Sequence, residues 1–182
     1  MKKLAITTAL LAAFAASSTS AEEKLRAKLI GYQEVPSVST PASGEFNARL
    51  SRDEQSIDYV LSYSGLVGTV QQSHIHFGQR GVNGSVVIWL CQTATTPAPA
   101  AVALITPTCP QSGTVTGEIR AANVVTAGTA SQQISAGELA EVIAAIRAGV
   151  TYANVHATPL NPGGEIRGQI RARHGEGDRD RD

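Results

Sequence analysis

Between Ile57 and Tyr63 every second residue is apolar: Ile57, Tyr59, Leu61 and Tyr63 alternate with Asp58, Val60 and Ser62. A period of two places one set on a single face of a pleated strand, whereas a helix would scatter them around its axis. Residues 24–33 alternate in the same way, with Leu25, Ala27 and Leu29 on one face. Strand-like runs also cover 44–50, 70–77, 85–90, 114–121, 151–157 and 164–172, and Gly, Pro, Asn and Ser punctuate them. Short apolar runs between turn residues predict a single all-β domain, and a chain of 182 residues is long enough to bury a core.

Three stretches depart from simple alternation. Val86-Val87-Ile88-Trp89-Leu90 is apolar on both faces, which predicts a central strand covered from both sides. From 92 to 112 the composition shifts to Pro, Ala and Thr, an irregular excursion. Ser135 and Glu138 have capping-box spacing, Leu139, Val142, Ile143 and Ile146 follow at helical spacing, and Gly149 is a stop. One amphipathic helix packed on the sheet is expected there.

The chain begins with Lys2 and Lys3, an apolar run from Leu4 to Ala16, and small residues up to Ala21. This reads as a signal peptide over 1–21, cleaved after Ala21 to leave a domain over 22–172. Its loss leaves 13 basic side chains against 15 acidic ones, a balance that argues against a nucleic-acid partner. No later apolar stretch approaches the roughly 20 residues of a transmembrane segment. A soluble protein of the periplasm or the medium is expected. The tail 173–182 is Gly, Asp, Glu and Arg apart from His174, so disorder is expected there, with His174 a poor candidate ligand.

Export gives meaning to Cys91 and Cys109, the only two cysteines. An oxidising compartment favours a disulfide between them over metal ligation.

His74 and His76 flank Ile75, so on a strand both imidazoles share a face while Ile75 enters the core. His156, in Tyr152-Ala153-Asn154-Val155-His156, also follows an apolar residue in an extended context. Three imidazoles converging on one sheet face make a metal site, with Asn154, Glu165 and Gln72 the polar neighbours expected to orient them. Gly44-Glu45-Phe46, Gly117-Glu118-Ile119-Arg120 and Gly164-Glu165-Ile166-Arg167 share a local pattern. It marks strand starts after turns, a decayed duplication, or a charge cluster through which Glu165 or Arg167 supports the histidines. The plainer reading of His74 and His76 is of hydrogen-bonded surface residues.

Glu34-Val35-Pro36, His74-Ile75-His76-Phe77-Gly78 with Asn83-Gly84, Tyr152-Ala153-Asn154-Val155-His156 and Gly164-Glu165-Ile166-Arg167-Gly168, in this order, resemble the CHRD (chordin) domain over about 28–170. The resemblance implies an immunoglobulin-like or superoxide-dismutase-like Greek-key β-sandwich or barrel. Against the copper-zinc superoxide dismutases, His74, His76 and His156 match three copper ligands. The bridging histidine and the zinc ligands find no counterpart, since 78–84 holds neither His nor Asp. Asn161-Pro162-Gly163-Gly164 precedes Glu165, with Arg167 two residues on, where the dismutases carry an arginine beside the copper.

An unconstrained nitrogen site favours copper, with zinc a lesser candidate. The competing expectation is a metal-free extracellular module that binds protein or glycan. Such a module needs exposed aromatic anchors, and Tyr32, Tyr63, Tyr152 and Trp89 all read as partly or wholly internal, which leaves 92–112 as its contact surface. A hydrolase lacks support, with no Gly-x-Ser-x-Gly elbow and no free Cys to pair with His.

Overall fold

A computed structural model describes residues 22–173, so the expected signal peptide over 1–21 and His174 with the rest of the tail lie outside the described residues. The strands are β1 (Glu23–Ile30), β2 (Ser43–Leu50), β3 (Ile57–Ser64), β4 (Thr69–Phe77), β5 (Ser85–Cys91), β6 (Gly113–Ile119), β7 (Thr151–Thr158), β8 (Asn161–Gln169) and β9 (Arg171–Arg173). They form one antiparallel sheet in the order β5-β4-β7-β8-β1-β2-β3-β6, with β9 paired to β1. The sheet curls into a nearly closed barrel. Consecutive strands pair as hairpins, and the chain crosses the barrel after β3, β5 and β6.

Alternation fixes the inside. Leu25, Ala27 and Leu29 of β1 are buried, as are Ile57, Tyr59, Leu61 and Tyr63 of β3. The two ends of the sheet, β5 and β6, meet at a seam bridged by side chains of β3, the strand paired to β6. Tyr59 Oη donates to the Leu90 carbonyl at 2.6 Å and Tyr63 Oη to the Pro110 carbonyl at 2.5 Å. The Cys91–Cys109 disulfide, spanning 18 residues, ties the excursion back to the end of β5. A short helix, α1 (Ala100–Ala103), lies within that excursion.

β5 is a terminal strand rather than a central one. Its doubly apolar pattern has another cause: Val125 N–H donates to the Val87 carbonyl at 2.9 Å, and Val86 and Trp89 face Val102 and Val124 across an apolar groove. The crossover covers β5 where a second strand was expected.

The helix α2 (Leu139–Arg147) buries Leu139, Val142, Ile143 and Ile146 as their spacing required. It starts later than Ser135 because Gly137 sits at φ +87°, off the helical path. Only half of the capping box forms: the Glu138 carboxylate accepts the Ser135 N–H at 2.6 Å. Gly149 at φ +70° ends the segment. Arg147 in the last turn donates to Glu23 at 2.7 Å and Glu54 at 2.7 Å, holding the helix to the barrel. β1 ends earlier than expected, at Ile30, and a 3-10 turn over Gly31–Gln33 follows. That turn carries Tyr32 outward, 71% exposed and not internal.

Removing the disulfide through Cys91→Ala/Cys109→Ala frees the excursion and the seam at once. Urea denaturation is expected to show a loss of about 3 kcal/mol, the chain-entropy value for a loop of this length.

Candidate metal centre

β4 lies between β5 and β7, and the register decides what meets on its outer face. His74 opposes Asn154, His76 opposes Tyr152 and Gln72 opposes His156 across β4–β7. Asn154 in turn opposes Arg167 across β7–β8, and Trp89 opposes His74 across β4–β5. Ile75, Val155 and Ile166 point the other way into the core and are fully buried. The three histidines therefore come together as their sequence pattern predicted.

They are not surface residues. His74, His76 and His156 are 2%, 8% and 6% exposed, too little for water to solvate an imidazolium. Burial pushes all three below the ordinary histidine value, and their mutual repulsion adds to this for His74 and His76. His74 lies well below that value and His76 near 4, so both rings are neutral at pH 7 with a lone pair to offer.

Two of the rings are oriented by backbone carbonyls. His76 Nδ1–H donates to the Gly84 carbonyl at 2.9 Å and His156 Nδ1–H to the Pro162 carbonyl at 2.8 Å. Both Nε2 atoms are thereby acceptors. Asn154 Oδ1 lies 3.1 Å from His76 Nε2; with the ring proton on Nδ1, turning the amide over would bring its NH2 to that acceptor. His74 Nδ1 lies 3.2 Å from His156 Nε2. Nitrogens at a tetrahedral ion with bonds of about 2.05 Å stand roughly 3.3 Å apart, so this pair already has the spacing of two ligands. One nitrogen from each ring lies within 4.8 Å of the others, and the donor set suits a borderline transition metal.

The outer partners differ in part from those expected. Asn154 does face a histidine. Glu165 does not: its Oε1 accepts the Thr40 hydroxyl at 2.6 Å and the Val67 N–H at 2.8 Å, bracing two loops. No hydrogen bond among the described residues joins Gln72 to an imidazole, although the register shift at Val70/Gln72 sets it opposite His156; the Nδ1 of that ring is served by Pro162 instead. Arg167 acts through a ring. Its guanidinium carbon lies 3.3 Å from the centroid of Tyr152, and Tyr152 stacks on His76 at 4.6 Å with planes 5° apart. The Arg167 NH groups donate to Asn83 Oδ1 and to the Gln79 and Val82 carbonyls.

The carbonyls of Gly84 and Pro162 and the rings of Tyr152 and Trp89 were not anticipated. Period-two spacing from Asn154 and His156 was a signal for Tyr152. Backbone carbonyls leave no residue signature, although Gly84 has one of its own: a Cβ there would collide with the Phe77 carbonyl. The similar Gly-Glu segments diverge in use. Glu118 and Arg120 pair on the surface at 2.6 Å, while Glu165 and Arg167 are buried and bond to different groups.

A family model described as the CHRD domain matches residues 25–170. The chain belongs to the CHRD-domain family. The match runs from within β1 through β8, the three histidines included. No curated protein and no solved structure matches the chain.

The site also sets a pH dependence. Below the ordinary histidine value of about 6.5 the unfolded histidines hold protons that the buried ones release, so stability rises with pH there, for His76 from about 4 upward. Glu34 works against this. Desolvation raises its carboxyl from 4.5 to about 7, and from 4.5 upward the folded form holds the proton that the unfolded one releases. Three groups outweigh one, so stability falls as the solution is acidified below 6.5. Glu34→Gln is expected to steepen that fall in urea titrations between pH 4.5 and 6.5, and an unchanged slope would contradict the assignment.

Proposed function

We propose that this CHRD-domain protein is exported and holds one transition-metal ion, copper(II) first among the candidates, through His74, His76 and His156. One observation carries the reading: three neutral, buried imidazoles bring a nitrogen each within 4.8 Å. Two of them are oriented by carbonyls, as ligating histidines commonly are. Copper(II) is favoured over zinc for nitrogen donors without geometric constraint. Soft donors are lacking, since both cysteines are in the disulfide and the sole methionine is Met1. The disulfide and the N-terminal pattern over 1–21 support export. Storage or buffering of copper outside the cytoplasm accounts for such a site without requiring turnover.

A second reading, a protein- or glycan-contact module, draws support from exposed apolar groups. Leu104 is 99% exposed at the tip of the disulfide-tied excursion, with Ile105 beside it, and Tyr32 stands out from its turn.

Copper(II) titration followed by electron paramagnetic resonance separates the two. One tightly bound equivalent with nitrogen hyperfine structure, lost in His74→Ala/His76→Ala, is the expected result. Equal, weak uptake by both proteins would leave the contact module as the better account.

A further inference from the structure

An imidazole ligand holds its orientation only if its other ring nitrogen also has a partner. His76 and His156 meet this condition through the Gly84 and Pro162 carbonyls. His74 does not meet it through oxygen. Its Nδ1 faces His156 Nε2 at 3.2 Å, and its Nε2 is buried without a hydrogen-bond partner. The nearest ring to His74 is the indole of Trp89, with centroids 4.3 Å apart and planes at 80°. Perpendicular rings at this spacing allow an N–H of one to point at the π face of the other.

We propose that Trp89 is the positioning residue for His74, its indole face receiving the Nε2–H of that ring when Nδ1 serves as ligand. The inference rests on the three-histidine metal reading. Because His156 commits its Nδ1–H to Pro162, its Nε2 is an acceptor, and in the metal-free protein His74 donates to it from Nδ1. As a ligand through Nδ1, His74 gives up that bond and carries its single proton on Nε2 instead. The ring stays neutral and the proton count is unchanged. A buried N–H without an acceptor is unfavourable, and the indole supplies a π face where no oxygen does. Strand pairing sets Trp89 opposite His74, and the groove formed with Val102 and Val124 flanks the indole.

Long-range proton–nitrogen correlation spectra locate the proton on each imidazole. With no metal, His74 is expected to carry it on Nδ1. With one equivalent of zinc(II), a diamagnetic probe, His74 carries it on Nε2, while His76 and His156 keep theirs on Nδ1. Trp89→Phe retains a ring face and is expected to bind zinc much as the native protein does, while Trp89→Leu loses roughly tenfold or more in affinity. Zinc-loaded His74 with its proton still on Nδ1, or native affinity in Trp89→Leu, overturns the role of Trp89 alone. A spectrum in which no imidazole responds to zinc overturns the metal reading and this inference with it. If Trp89→Leu fails to fold, the proton position in the native protein decides.

Discussion

A guanidinium withdrawn from water must recover its hydrogen bonds from the protein, and Arg167, only 1% exposed, is the largest demand of this kind in the barrel. The demand is met from one side by oxygens of the 78–84 loop and from the other by the face of Tyr152. Closing that loop over Arg167 has consequences beyond the arginine. It brings the Gly84 carbonyl to His76 Nδ1, and it presses Tyr152, stacked beneath the cation, flat against the same imidazole. Asn83 of this loop donates to the Val35 carbonyl at 3.0 Å, which draws the 31–38 turn over the site as well. A cation that touches no histidine thus determines the surroundings of one.

Burial does chemical work of its own. An exposed imidazole shares its lone pair with a proton near neutrality, whereas these three have lost that competitor. Their nitrogens crowd together without charge, so the repulsion that would drive three imidazolium rings apart is absent. The only hydrogen bond within the trio, from His74 to His156, uses the two nitrogens whose separation matches paired ligation. On the metal reading, the apo site is held near its working geometry by a proton placed where an ion would later sit.

The parts of this arrangement that obey a period were legible in the sequence. Alternation in 24–33 and 56–63 placed Leu25, Leu29, Ile57 and Leu61 inside, and the spacing of Leu139, Val142, Ile143 and Ile146 found the helix. His74 and His76 were paired by the same rule. What escaped was whatever depends on the crossing of distant strands. β5 looks central because both its faces are apolar, yet the cover comes from a loop that no periodicity marks. Glu165 and Gln72 seemed placed for the histidines by proximity in the chain, but Pro162 serves His156 where Gln72 was expected to, and Glu165 was taken by Thr40 and Val67. Tyr32 read as internal until a 3-10 turn ended the strand before it.

The arginine also bears on the dismutase-like comparison. An arginine beside a metal can draw in a small anion only if some of its N–H donors are free. Arg167 occupies the corresponding stretch of sequence, but its terminal NH groups are bound to Asn83, Gln79 and Val82 and its face is pressed on Tyr152. An anion reaching for it would have to open the loop that orients His76, disturbing a ligand in order to bind a substrate. No histidine of the 78–84 loop stands ready to bridge to a second ion, since that segment contains none. The same side chain that would draw an anion into an open site here helps to seal a closed one. On the metal reading, these contacts favour holding an ion over turning substrate over.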